Sequence, residues 1–284
     1  MVIGVLIQNQ NISVKNLSSY GFIGELSLDG RLRSCKGILP MVIAAKKKLI
    51  TKLIIPTENL AEASLVHGIE LLGFEHLTDV LRFLEGRSQF TAVPSPSLTL
   101  SSTPEVTLDF SDVRGQQELI ESITLAAAGG HNLLMIGEPG CGKTMIAQRI
   151  PTILPHMTEE ECLEVTKIYS ISGMLPQDHS LINARPFRSP HHNVSLNALI
   201  GGGANAMPGE VSLAHNGVLF LDELAEFSRR TLDALRQPVE DKKVNQTSVR
   251  HSYNFLTLSP SNFQKPGSSY RKTGGVKVSG TFAL

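Results

Sequence analysis

Apolar residues recur at two spacings along this chain, and each change of spacing marks a new element. In residues 24–28 polar and apolar positions alternate up to Asp29-Gly30, which predicts a strand closed by a tight turn. Residues 52–55 predict a second strand, stopped by Pro56, and helical spacing predicts helices over 39–49, 58–66 and 76–84. From 88 to 104 no charged residue occurs, while Pro94, Pro96 and Pro104 sit among serines, so 88–107 reads as a linker. Beyond it, residues 115–128 place Leu119, Ile120, Ile123 and Ala127 on one helical face, and Gly129-Gly130 ends the helix. Residues 133–136 form a short continuous apolar run, the pattern of a parallel strand buried on both faces. Thr158-Glu159-Glu160-Glu161 has the form of a capping box opening a helix towards Tyr169. Residues 218–221 predict a further buried strand, and 228–240 a helix with Leu232, Leu235 and Val239 inward. Strands alternating with helices predict an α/β fold.

Composition narrows the class. A chain of 284 residues, 41% hydrophobic and 18% charged, is long enough for two cores. The 26 basic residues are balanced by 26 acidic ones, so any contact with nucleic acid must be local. Cys35, Cys141 and Cys162 form no CxxC pair, which argues against a disulfide framework or a thiolate zinc site and for a reducing, cytoplasmic setting. The apolar opening runs into Gln8-Asn9-Gln10-Asn11 with no basic leader or cleavage site, and no apolar stretch reaches the roughly 18 residues of a membrane span. The expectation is therefore no signal peptide and no membrane partner.

Chemistry is concentrated in two motifs. Gly137-Glu138-Pro139-Gly140-Cys141-Gly142-Lys143-Thr144 has the spacing of a phosphate-binding loop and lies between a predicted strand and a predicted helix. Glycines let such a loop curl its N–H groups around phosphate oxygens, Lys143 would neutralise phosphate charge, and the Thr144 hydroxyl suits Mg²⁺, which prefers oxygen ligands. The second motif, Leu219-Phe220-Leu221-Asp222-Glu223, delivers acids at the end of an apolar strand. Asp222 would hold Mg²⁺ through water, and Glu223 would polarise the water that attacks the γ phosphate of ATP. Two acids after a strand are common on a solvated loop; their pairing with a phosphate loop gives them a function.

With these motifs on the page, the sequence resembles the AAA+ ATPases of the magnesium-chelatase subunit I type, and within them the bacterial YifB/ComM family. The segments that carry the likeness are Gly129-Gly130-His131-Asn132, Arg185-Pro186-Phe187-Arg188-Ser189-Pro190-His191-His192, Leu199-Ile200-Gly201-Gly202-Gly203, the run from Pro208 to Gly217, and Leu235-Arg236-Gln237-Pro238. The resemblance implies a P-loop AAA+ core with a parallel sheet flanked by helices over 108–284, using ATP and Mg²⁺ and assembling as a homo-oligomeric ring or with a full-length family member. It also implies a DNA-processing motor of the kind that promotes branch migration during natural transformation. By the same likeness Asn262, ending the segment 255–262, aligns with the residue that senses the γ phosphate, although Pro260 interrupts that segment as a strand.

Residues 1–87 resemble part of an α+β Lon-protease-like domain, through 24–32, Gly37-Ile38-Leu39-Pro40 and 54–59. Leu39 stands where true Lon proteases carry their catalytic lysine, so this domain is expected to be non-proteolytic. The likeness begins part-way through that domain, and the lid and arginine finger usual in an AAA+ motor do not follow Asn262. A chain shortened at both ends, hydrolysing ATP slowly or not at all, is the expectation. Two other readings stand beside it: a chelatase-type motor and a non-catalytic nucleotide-binding remnant. Arg185, Arg188, Lys265, Arg271, Lys272 and Lys277 are the local candidates for phosphate of DNA, Arg185 and Arg188 equally for a neighbour's nucleotide. His191 and His192, adjacent and without ligand-spaced partners, read as structural or interface residues rather than a zinc site.

Overall fold

A computed structural model describes residues 2–8, 17–88, 108–138, 140–175, 181–203, 206–241, 243–247, 252–256 and 280–283. Nearly all of the expected linker, residues 89–107, lies outside that set, as do Pro139, Asn262, Lys265, Arg271, Lys272 and Lys277. The chain divides into two compact units, one of residues 1–99 with 169–181 and the other of 100–168 with 182–284.

In the first unit helix α1 (Val2–Gln8) precedes strand β1 (Tyr20–Phe22), and the hairpin of β2 (Glu25–Leu26) and β3 (Leu32–Arg33) turns at Asp29-Gly30 as the sequence predicts. Helix α2 (Ile38–Lys47) leads to β4 (Lys52–Pro56), then α3 (Leu60–Ala63), β5 (Glu70–Phe74) and α4 (Leu77–Leu84). Strands β1, β4 and β5 form a parallel sheet in that order. Ile54, Leu72, Phe74, Val80 and Leu84 make a core cluster against it. Leu39 on α2 is fully buried, and its N–H donates to the Glu62 carboxylate at 3.2 Å. Burial raises the Glu62 carboxyl above the usual carboxylate range.

The second unit opens with α5 (Gln117–Gly129), β6 (Leu133–Leu134) and α6 (Lys143–Ala147). Helix α7 (Glu159–Ser172), of which residues 159–168 belong to this unit, starts with the predicted capping box: Glu161 N–H donates to Thr158 Oγ1 at 3.2 Å and Thr158 N–H to Glu161 Oε2 at 2.8 Å. There follow β7 (Phe187–Arg188), α8 (Leu196–Ile200), the hairpin β8 (Gly201–Gly202) and β9 (Met207–Pro208), α9 (Glu210–Leu213), β10 (Val218–Asp222) and α10 (Arg229–Asp241). The last strands are β11 (Lys243–Thr247), β12 (Ser252–Leu256) and β13 (Gly280–Ala283). The main sheet runs β6-β13-β10-β7, and its core gathers Phe110, Ile123, Met135, Ile146, Val218 and Phe220.

One expectation changes, and a second falls mostly outside the described residues. The run 133–136 was expected to be a strand covered on both faces, but β6 is two residues long and pairs in the described sheet with β13 alone. At that edge Met135 is buried, whereas Leu134 and Ile136 are 55% and 47% exposed, the alternation of a half-covered strand. Residues 255–262 were expected to supply the strand leading to Asn262. Of that segment only Phe255 and Leu256 are described, in β12, which pairs antiparallel with β11, and 257–262 lie outside the described residues; β13, also antiparallel, lies between β6 and β10. The otherwise parallel pairing survives between β10 and β7.

That parallel pair depends on Gly217. Val218 N–H donates to Pro186 O at 2.8 Å, and a Cβ on Gly217 would lie 2.1 Å from the same oxygen. Only glycine lets the two chains approach closely enough for β10 to align with β7.

Candidate functional site

Strand β10 is buried from Val218 to Leu221 and then releases Asp222 into partial exposure. An apolar strand ending in a carboxylate follows from the fold, because in α/β sheets the strand ends are where backbone stops pairing and side chains can meet a ligand. Across from it, the loop before α6 makes the turn its glycines permit. Gly140 and Gly142 adopt φ of 83° and 89°, left-handed values that a side chain would strain, and Gly142 caps α6 so that Lys143 and Thr144 open the helix.

The geometry joins the two motifs. Thr144 Oγ1 donates to Asp222 Oδ2 at 3.1 Å, across 78 residues of sequence, and Asp222 Oδ1 accepts the Glu223 N–H at 3.0 Å. The Lys143 ammonium donates to the carbonyls of Gly137 at 2.9 Å and Glu138 at 3.1 Å, and lies 3.9 Å from Cys141 Sγ. A hydroxyl beside a carboxylate, with an ammonium folded on a glycine-rich loop, is a donor set for a hard divalent cation carrying an anion. Among the described residues no group of three His, Cys, Asp or Glu side chains forms a cage for a metal. A cation at Thr144 and Asp222 would therefore complete its shell with water and phosphate oxygens, which is the habit of Mg²⁺. Mg·ATP fits these residues.

Glu223 departs from the ordinary. Its backbone is left-handed at φ 52° and ψ 49°, a conformation that costs a non-glycine residue about 1–2 kcal/mol. Its carboxylate does not turn to Lys143 or Thr144 but meets His192 Nδ1 at 3.2 Å. Sequence reasoning left His192 out of the site. The signal was the parallel pairing of β7 on β10, Phe187 opposite Val218 and Arg188 opposite Leu219, which sends the chains leaving both strands to the same end of the sheet.

The structure gives Arg185 and Arg188, the candidates for contact with phosphate, partners inside the second unit. Arg188 Nε and Nη2 grip the Glu210 carboxylate at 2.6 and 2.8 Å. Arg185 donates to Pro155 O at 2.6 Å and Asn216 O at 2.7 Å and pairs with Glu161 at 3.5 Å. Both guanidinium groups have hydrogen-bonded partners inside the unit. Nearby, His215 is buried with Nε2 at 3.2 Å from Glu164, and its Nδ1 has no hydrogen-bond partner among the described residues. Burial pushes the imidazole below its ordinary range, against the opposing pull of Glu164.

A fold with a glycine loop opening a helix and an acid-tipped strand facing it defines a P-loop nucleotide-binding class. The sequence model described as magnesium chelatase, subunit ChlI, matches residues 109–268, and that described as subunit ChlI of Mg-chelatase matches 1–59. The chain belongs to this AAA+ magnesium-chelatase family, on its YifB/ComM side. It is 42% identical over 247 residues to competence protein ComM of Haemophilus influenzae, covering 86% of this chain and 48% of that one. To the uncharacterised protein YifB of Escherichia coli it is 42% identical over 264 residues, 93% of this chain and 50% of the other. A stretch of 60 residues, 21% of this chain and 9% of the other, is 40% identical to the archaeal Lon protease of Methanothermobacter thermautotrophicus, in keeping with a Lon-like first unit. The chain spans about half the length of the curated YifB and ComM relatives it matches. No helix among the described residues is long and apolar enough to cross a membrane.

Proposed function

We propose that the second unit binds Mg·ATP and is the ATPase core of a ring-forming, ComM-type DNA-processing motor in the cytoplasm. The observation that carries the nucleotide reading is the Thr144–Asp222 contact at 3.1 Å beside the Lys143-bearing loop. In this reading Gly137, Glu138, Pro139, Gly140, Cys141 and Gly142 wrap the phosphates. Lys143 exchanges its two carbonyl partners for phosphate oxygens, Thr144 and Asp222 hold the cation, and Glu223 takes the water proton. Mg²⁺, when bound, supplies charge neutralisation at the phosphates. Asn262 remains a proposed γ-phosphate sensor on the strength of the family likeness.

The DNA-processing role rests on likeness to ComM over 86% of this chain. For the first unit the proposal is a structural role: Leu39 fills the position of the Lon lysine, and a buried leucine offers no base. Isothermal titration of the chain with Mg·ATP tests the nucleotide reading. Binding by the wild type that is weakened at least tenfold by Lys143→Ala supports it, and equal binding by both chains refutes it.

A further inference from the structure

We propose that β13 is the strut of the nucleotide site: residues Gly280–Ala283 hold the strand that leads to the phosphate loop and the strand that ends in Asp222 in the register at which Thr144 and Asp222 meet. The inference deepens the nucleotide reading and rests on it.

The two halves of the site are carried by strands that do not pair with each other. Lys143 and Thr144 follow β6 through the glycine loop, Asp222 ends β10, and the sheet order is β6-β13-β10-β7. Neighbouring strands lie about 4.8 Å apart, so β6 and β10 are separated by roughly 10 Å, and among the described strands β13 alone spans that gap. It does so at matching heights. Thr281 stands opposite Leu134 on one side and Leu221 on the other, and Phe282 opposite Leu133 and Phe220. Because β13 is antiparallel to both neighbours, β6 and β10 are parallel to each other and release their chains at the same end of the sheet. Asp222, with Gly280 opposite it, directly follows Leu221, and Gly137, where the phosphate loop starts, lies shortly beyond Leu134.

A slip of one residue in either ladder would move one motif past the other by about 3.4 Å along the strand axis. That is as long as the Thr144–Asp222 contact itself, which is 3.1 Å. Mg²⁺ holds its ligands near-octahedrally at about 2.1 Å and tolerates no such shift. The chains of both strands also feed one core, Met135 after β6 and Val218 and Phe220 on β10, so the unit keeps its packing without β13. Apolar contact is non-directional, whereas a hydrogen-bond ladder fixes register. Thus β13 sets the alignment of the site and not the existence of the fold.

The test uses the whole chain as wild type, Thr281→Pro and Thr281→Val, together with a chain ending at residue 277, read by amide hydrogen exchange without nucleotide and by calorimetry with Mg·ATP. Proline has no N–H and removes a ladder bond from a strand paired on both sides, whereas valine keeps the N–H and suits a strand. Thr281→Pro should lose protection at 133–134 and 219–222 together, keep it at 159–168 in α7, and bind Mg·ATP roughly tenfold more weakly or worse. Thr281→Val should stay within about twofold of wild type in affinity and keep the protection of both strands. The chain ending at 277 should behave as the proline variant, and a peptide of residues 278–284 in excess should restore its protection and its affinity by adding the strand back. The proposal is overturned if Thr281→Pro keeps wild-type protection or affinity, if valine is as damaging as proline, or if the peptide restores nothing. It is also overturned if the loss of protection reaches α7, which would make β13 a support of the whole fold. A wild-type chain that binds no Mg·ATP overturns the nucleotide reading alone, because the exchange measurement reads the strut without nucleotide.

Discussion

Both units contain parallel strand pairs backed by helices, yet they end their strands differently. In the first, β4 finishes at buried Pro56 and β5 at buried Phe74, and α2 opens with Leu39 sealed in the core. In the second, β10 finishes at Asp222 and Glu223, β7 leads to His192, and α6 opens with Lys143 and Thr144. The same grammar of alternating elements thus yields a packing module in one case and a ligand-facing edge in the other. What separates them is a handful of residues at strand ends, where the backbone is free of the ladder and the side chain sets the chemistry.

The comparison is sharpened most by emptying the first unit. Leu39→Ala deletes a fully buried side chain and should destabilise that unit by about 2–5 kcal/mol while leaving Mg·ATP affinity unchanged; urea unfolding beside calorimetry reads both. A loss of nucleotide affinity would show that the packing module does more than pack. Gly217→Ala attacks the second unit at its tightest approach and should cost about 1–3 kcal/mol, with release of the β7–β10 pairing seen as faster amide exchange at Val218.

Acid should act on the second unit through His215. Burial lowers its folded-state pKa, so the unfolded chain binds the extra proton first; stability is full above the ordinary imidazole range and falls as pH drops below about 6.5, by no more than ~1.4 kcal/mol per pH unit for one group. Unfolding midpoints at pH 7.5 and 5.5 should differ more for the wild type than for His215→Gln. Breaking the capping box with Thr158→Ala is the mildest change, worth about 1 kcal/mol. A null result there would mean that the packing of α7 holds it without its cap.

What could be read from sequence follows the same division. The phosphate loop and the acid pair were legible because each is contiguous and each borders an apolar run long enough to name as a strand. The Lys143–Gly137 and Asp222–Glu223 contacts are local in sequence. His192 was not legible, because its place beside Glu223 comes from the parallel register of β7 on β10, which no short motif encodes. The partners of Arg185 and Arg188 were not legible for a related reason: Glu161 and Glu210 lie 24 and 22 residues away, and a basic pair on a loop reads as free until the fold supplies its acids. The run 133–136 was read as fully covered because periodicity reports apolarity and not neighbours; with β13 alone beside it, every second residue of that run faces outward. Asn262 lies outside the described residues.

The central claim, that nucleotide is held by the strand-end residues of the second unit and by nothing in the first, is tested most directly by amide hydrogen exchange of the wild-type chain with and without Mg·ATP. Protection should rise at residues 137–146 and 219–223 and stay unchanged at 38–47 and 52–56. Protection spread over both units, or confined to the first, would contradict it.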